Sequence, residues 1–186
     1  MVDVKGTISC HVELLCSKRR ETVDGITRAD LAQDGAEFSD CGRYRYKLWR
    51  VWDEARPPVM FIMLNPATAD ATRNDPTIRR CIGFARAWGY GGVRVGNLFA
   101  WRTPYPEVLR SVVEPIGQDN DGALHDLAAG AALVVAAWGV HGVWRDRAQA
   151  FRQRFTRPLH ALGITKSGEP AHPLRLRRTC RPFPLE

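Results

Sequence analysis

Apolar residues along the chain fall into two kinds of pattern, short unbroken runs and stripes at helical spacing. Val59-Met-Phe-Ile-Met-Leu64 and Ala131-Ala-Leu-Val-Val-Ala-Ala-Trp138 are continuous apolar runs, the signature of central strands buried on both faces. Val93-Arg-Val-Gly-Asn-Leu-Phe99 reads as a further strand, and Pro158-Leu-His-Ala-Leu162 as a last short one. Tyr44-Arg-Tyr-Lys-Leu-Trp-Arg-Val-Trp52 alternates aromatic or apolar residues with basic ones, so it is expected to be a half-buried strand. Helices lie between the runs. Asn74 or Asp75 caps one of them, with Pro76 at its first position and a stripe of Ile78, Ile82, Ala85 and Trp88. Gly89-Tyr-Gly-Gly92 ends it. One or two helices follow between Pro106 and Gly130, and another from Trp144 to Phe155. Strands alternating with helices predict a three-layer α/β/α fold around a central, mostly parallel sheet of four to five strands.

Residues 1–40 show little periodicity and read as a partly ordered or disordered N-terminal arm, leaving 41–186 as a single α/β domain with a basic C-terminal end. A length of 186 residues suits that division. With 45% apolar and 25% charged residues, wholesale disorder is excluded. The net charge of +7 is unevenly placed. Acidic and basic residues balance through residue 140, and the excess lies in 141–186, where only Asp146, Glu169 and Glu186 are acidic. A localised basic face points to a polyanion partner.

Other classes recede. The longest apolar run, Ala131 to Val140, is half of the roughly 20 residues a membrane span needs, so no membrane partner is expected. The start lacks a basic stretch followed by an apolar one, so no secretory signal is expected. Five cysteines without a C-x-x-C pair suit reduced thiols in a cytoplasm and give no ligand spacing for zinc or iron–sulfur. No metal and no cofactor are therefore expected, and the protein is expected to be a monomer. A G-x-x-x-x-G-K-[ST] loop and a G-x-S-x-G elbow are both missing, which argues against nucleotide triphosphate and serine-hydrolase chemistry.

In open parallel sheets ligands bind beyond the carboxyl ends of the strands. Those ends are Asn65-Pro-Ala-Thr-Ala-Asp70, Asn97 to Arg102, Trp138-Gly139, and the segment from Thr165 through His172 to Arg175. They offer amides, carboxylates, one imidazole and aromatic faces. Each also has a plain structural explanation. Asn65-Pro66 turns a chain, Asp75 caps a helix, Asn97 caps a loop, and Phe99 and Trp101 fill a core.

The order of these motifs carries a resemblance. A strand ending in Leu64-Asn65-Pro66, a second in Gly96-Asn97-Leu98, a third in Trp138-Gly139, and a late His172-Pro173 together resemble the uracil-DNA glycosylase superfamily. Its members carry a strand-end G-[QEI]-x-P motif, a strand-end Asn before a Pro-containing loop, and an H-P-S-P-type loop near the C-terminus. The mismatch-specific branch, with G-I-N-P-G, is nearest to Met63-Leu-Asn-Pro-Ala67. More narrowly, Ile62-Met-Leu-Asn-Pro-Ala-Thr-Ala-Asp70 with Asp75-Pro-Thr-Ile-Arg-Arg80 is similar to a bacterial and phage domain family of unknown function, over residues 43–176.

The resemblance implies a monofunctional DNA glycosylase with a uracil-DNA glycosylase-like fold. Asn65 would hold the attacking water, Asp70 or Asp75 would assist it or face the cationic sugar, and His172 would stabilise charge on the departing base. Pro66, Asn97, Phe99 and Trp101 would bind the flipped base. Leu174 would wedge into the stack, while Arg102, Lys166, Arg175, Arg177 and Arg178 contact double-stranded DNA. Leu174 and Arg175 replace the Ser and the second Pro of the late motif, and Ala67 stands where the first motif has Gly. The four-cysteine cluster of some branches is missing too. A changed pocket implies a changed base. The bacterial and phage distribution points to a modified pyrimidine of phage DNA, such as glucosylated hydroxymethylcytosine, and so to antiviral defence. A non-catalytic nucleic-acid-binding module and a nucleoside or nucleotide hydrolase are the alternatives.

Overall fold

Buried side chains on both faces of one sheet organise the chain, which a computed structural model describes over residues 22–23, 26–27 and 34–185. β1 (Thr22–Val23) and β2 (Ile26–Thr27) pair as a short antiparallel hairpin. The sheet contains β3 (Asp34–Phe38), β4 (Arg45–Val51), β5 (Pro58–Met63), β6 (Gly92–Asn97), β7 (Leu133–Ala136), β8 (His160–Ala161) and β9 (Phe183–Pro184). Their order is β3-β4-β6-β5-β7-β8-β9. The central four, β6, β5, β7 and β8, are parallel, and β3, β4 and β9 pair antiparallel at the edges.

The expected four to five strands are thus seven. The unbroken apolar runs marked the parallel centre, whose strands have both faces covered. The added strands carry no such signal, because Asp34-Gly-Ala-Glu-Phe38 does not alternate and Phe183–Pro184 is exposed. β3 also comes from residues read as the arm, so the sheet begins before residue 41. Apart from β1 and β2, the arm before residue 34 lies outside the described residues.

β5 shows how the layers form. Val59, Phe61 and Met63 point into one buried cluster, and Met60, Ile62 and Leu64 into the other. Each such side chain contributes about 1.5–3 kcal/mol on full burial. On the first side lies α1 (Pro76–Ala87), capped by Asp75, whose Oδ1 accepts from Ile78 N at 2.8 Å. Its buried stripe is Ile78, Cys81, Phe84 and Ala85, turned slightly from the expected one, so that Ile82 and Trp88 are only partly covered. Burial pushes the Cys81 thiol up.

The other side is covered by α3 (Asn120–Ala129) and α4 (Arg147–Arg154), with the short α2 (Pro106–Leu109) before them. Gly96 permits the close approach of α3, because a Cβ there would sit 2.4 Å from Leu124 Cδ2. The helix expected from Trp144 begins at Arg147 instead. Val140–Asp146 is a 3-10 stretch, and Arg145 and Asp146 have φ of 52° and 53°, a conformation that cannot propagate a right-handed helix. Among the described residues no helix is long and apolar enough to cross a membrane.

Candidate functional site

The β5–β6 ladder runs on past both strands, with Leu98 N donating to Met63 O at 2.8 Å and Phe99 N to Leu64 O at 2.9 Å. It delivers Asn65 and Asn97 to the same sheet edge. Asn65 Nδ2 donates to Thr103 O at 2.7 Å and to Pro66 O at 3.1 Å. Pro66 O also accepts from Thr103 N at 2.9 Å, so the buried Pro66 closes a clasp between the two loops. The amide nitrogen is fixed by carbonyls, which leaves Asn65 Oδ1 as the side chain's available acceptor.

The following loop is braced from β4. Arg50, 2% exposed, donates to Asp70 O at 2.6 Å, Arg73 O at 3.3 Å and Asn74 Oδ1 at 2.9 Å. Arg45, also 2% exposed, donates to Ala69 O at 3.0 Å and Asn97 Oδ1 at 3.1 Å. Burial pushes Arg45 down to about 10, against the opposing attraction of Asp75. Asp70 Oδ1 accepts from Thr72 N at 2.9 Å and Arg73 N at 2.7 Å, closing a turn. Those backbone donors, Thr72 first, hold the Asp70 carboxyl below its ordinary value. Asp70 shapes the loop, and Asp75 caps α1.

His172 reaches this neighbourhood from the other end of the chain. It caps a 3-10 turn, Pro173–Arg175, with Nδ1 accepting from Leu174 N at 3.4 Å. Burial, then the nearby charge of Arg175, lowers its pKa, and the charge of Asp75 opposes both. A neutral ring with Nδ1 accepting carries its proton on Nε2, which is therefore a donor. Arg80 of α1 anchors the segment by donating to Pro173 O and Leu176 O. From β7, Gly139 adopts a φ of 72° that favours glycine. A Cβ on it would lie 3.8 Å from His172 Cβ. Asp75, Arg45 and His172 thus share one electrostatic environment, although they come from three distant parts of the chain.

The profile of a family described as "Protein of unknown function (DUF1643)" matches residues 45–174. The chain belongs to this family. The DUF1643 span begins at the buried Arg45 and contains Asn65, Asp70, Asp75, Asn97 and His172, while Arg175, Arg177 and Arg178 follow it. No curated protein and no solved structure matches the chain.

Within the DUF1643 site the remaining candidates separate. Asn97 is 1% exposed and bonded to Arg45. Trp101 is half-buried, edge-on to Tyr44 at 5.3 Å, and lines a cavity of about 430 Å³ with Gly42, Arg43, Ala67, Thr68 and Arg102. Phe99 needs correction as a stacking face. It is fully buried, 4.9 Å from the Trp144 ring, because its backbone extends the β6 ladder into the core. Arg102 is likewise not a free cation, since it donates to Gly42 O at 2.9 Å and lies over the Phe38 ring. Lys166 is exposed at the tip of the loop closed by the Ile164–Pro170 bridge. Leu174, Arg175, Arg177 and Arg178 are exposed together. Leu174 and Arg178 line a groove of about 640 Å³ against Pro76, Arg79, Arg80 and Phe84 of α1.

Sequence reading missed Arg45, Arg50, Thr103 and Glu169. Arg45, like Lys47, looks like the solvent half of an alternating strand, whereas Arg50 falls on the parity of Tyr46 and Leu48. The signal against that reading is their number, since a basic residue stands at three of six positions from 45 to 50. Glu169 Oε2 accepts from Trp138 Nε1 at 2.5 Å, fixing the β7 end to the loop that carries His172. Among the described residues no three His, Cys, Asp or Glu side chains gather as metal ligands.

Proposed function

We propose that this chain is a monofunctional DNA glycosylase that hydrolyses the N-glycosidic bond of a flipped, modified base. The observation that carries the reading is His172. It combines a neutral-favouring environment with an Nδ1 held as acceptor, which leaves Nε2 as a donor, on a segment that lies beside Gly139 beyond the end of β7. A base leaving from C1′ takes the bonding electron pair and becomes anionic, and a neutral imidazole N–H stabilises that charge without first losing its proton. Asn65 Oδ1 accepts a hydrogen bond from the water that adds to C1′, and the proton this water sheds passes through solvent to the departed base anion. An amide suffices there, because an oxocarbenium-like sugar needs little activation of its nucleophile. Asp75 supplies negative charge near the cationic sugar, and Asp70 sets the loop. The cluster Leu174, Arg175, Arg177 and Arg178 holds the duplex, with Leu174 filling the vacated stack and the arginines on phosphates.

The modified base is a pyrimidine of the kind phages install, such as glucosylated hydroxymethylcytosine, which makes the activity one of antiviral defence. The test is incubation of the purified chain with duplexes carrying unmodified, uracil, mismatched and modified bases, with mass spectrometry of released bases. Release of a modified base, with alkali-labile sites in the same strand, is the expected result. Intact duplexes throughout refute it.

One observation favours a second reading, a nucleic-acid-binding module without turnover. Both candidate carboxylates make structural bonds, Asp70 in its turn and Asp75 in its cap. In that case Asn65→Ala and His172→Ala bind duplex as the parent does, and there is no activity to lose.

A further inference from the structure

The charge tally along the chain hides a surface that folding assembles. α1 carries Arg79, Arg80 and Arg86, and no acidic residue occurs from Pro76 to Pro106. The stretch from Pro170 to Leu185 has none either, and it carries Arg175, Arg177, Arg178 and Arg181. These two segments lie side by side. Arg80 Nε donates to Pro173 O at 3.4 Å near the start of α1, and at its C-cap Trp88 Nε1 donates to Cys180 O at 3.2 Å. Between them lies the groove of about 640 Å³, with Arg79, Gly83 and Ala87 from α1, and Leu174 and Arg178 from the neighbouring segment. Arg80 is engaged by carbonyls and Arg86 lies over the Trp52 ring, which makes Arg79 and Arg178 the main cations of the groove. One donor of Arg79 holds Asn74 O, and Asp75 beside it is committed to the cap. Gly83 keeps the groove deep. It stands in the interior of α1, where glycine destabilises a helix relative to alanine. A Cβ on it would meet no described atom within 4 Å, so packing within the described residues does not demand glycine there.

We infer that this groove is a second nucleic-acid track, which holds backbone phosphates of the DNA flanking the flipped nucleotide. It rests on the glycosylase reading for the flipped nucleotide and extends the interface from the C-terminal arginines to the outer face of α1. Charge selects the occupant. A groove with guanidinium groups on both walls and no carboxylate among its lining residues suits a row of anions, and one strand supplies a phosphate about every 3.4 Å. The 12 residues of α1 span about 18 Å, room for about five phosphates. Leu174 borders the groove, so the track begins where that side chain fills the vacated stack.

The test measures binding of a short unmodified duplex by fluorescence anisotropy between about 50 and 200 mM salt, so it needs no base release. Ala87 is exposed on the groove, away from the candidate catalytic residues. Ala87→Lys adds a cation, Ala87→Glu an anion, and Ala87→Gln comparable bulk without charge. Ala87→Lys should steepen the slope of log K against log salt by about one, which is about 3.5-fold over that salt range. Ala87→Glu should flatten it by as much, and Ala87→Gln should match the parent. Ala55→Glu, in the exposed turn before β5 and so at the opposite edge of the sheet, makes the same change in net charge and should also match the parent. Equal responses at positions 55 and 87, or none at 87, overturn the inference and leave the glycosylase reading standing. A parent chain that binds no duplex overturns it too. The expected pattern without release of any base supports the track and refutes only the glycosylase reading. A misfolded variant loses affinity, so misfolding cannot produce the gain expected of Ala87→Lys.

Discussion

Asp75 is where helix capping and chemistry meet, and two substitutions separate them. Asp75→Ala removes the 2.8 Å bond from Ile78 N to Oδ1 and leaves that first-turn amide without its cap. Losing an N-cap costs about 1 kcal/mol, within 0.5–2. The negative charge beside the helix N-terminus adds about 0.3–1 kcal/mol. Asp75→Asn keeps an oxygen in the capping position, and Asn is as good a cap as Asp, so it loses only the charge component. The two variants should therefore differ by about 1 kcal/mol. For a chain of this size that is about 2–4 °C in Tm. Urea denaturation of both variants, with the slope m checked for constancy, measures it. Activity should not follow that ranking, falling with loss of the charge in Asn as much as in Ala. Equal destabilisation by Asn and Ala would refute the capping argument. An Asp75→Asn variant with the parent's base-release rate would remove the charge from the mechanism.

The depressed pKa of His172 makes a signed prediction. Its folded value lies below its unfolded one, so its contribution to stability is present above the unfolded value and is lost as pH falls through the folded one. Long-range ¹H–¹⁵N spectra should show an Nε2–H tautomer at neutral pH with a midpoint below the ordinary 6.5, and a midpoint at or above that value contradicts the assignment. Gly96→Ala should destabilise by about 1–3 kcal/mol through overpacking, read by thermal melting, because its Cβ would lie 2.4 Å from Leu124 Cδ2. Replacing Arg175, Arg177 and Arg178 with Gln should weaken duplex binding and reduce the slope of log K against log salt by about one for each arginine–phosphate pair removed. An unchanged slope means these side chains face solvent only, and unchanged turnover in the triple variant favours a small-molecule substrate.

The parallel centre of the fold was legible because burial on two faces leaves no polar position to interrupt a run. β5 is the clearest case. Edge strands gave no comparable signal, since β3 and β9 are held by backbone pairing that places few demands on side chains. β4 misled in a different way. Its register against β3 slips by one residue between Glu37 and Phe38. Leu48 consequently packs under α1 while Tyr46 joins Ala100 and Ala123, and Arg45 is carried inward to Ala69 and Asn97. A bulge breaks the two-residue period on which any assignment of inward and outward faces depends.

That slip bears on the site as much as on the sheet. Asn65, Asp75, Asn97 and His172 could be picked out in the sequence because strand ends and caps have characteristic residues. Their mutual arrangement could not, because Arg45, Arg50, Arg80 and Glu169 set it through contacts between distant segments. The three arginines explain why a chain whose excess positive charge lies after residue 140 still places basic groups inside its charge-balanced part. Arg45 and Arg50 bond to carbonyls of the loop between β5 and α1, and Arg80 to carbonyls of the segment after His172. Guanidinium groups suit this task because each offers several donors in a fixed plane and no acceptor. Loops held in this way keep Asn65 and His172 at fixed places on the sheet edge. The cost is that each buried cation must have all its donors met, and among the described residues Arg45 Nε finds no partner. The orphan is thus a consequence of the bracing, and it falls beside the one amide whose acceptor the same arginine occupies.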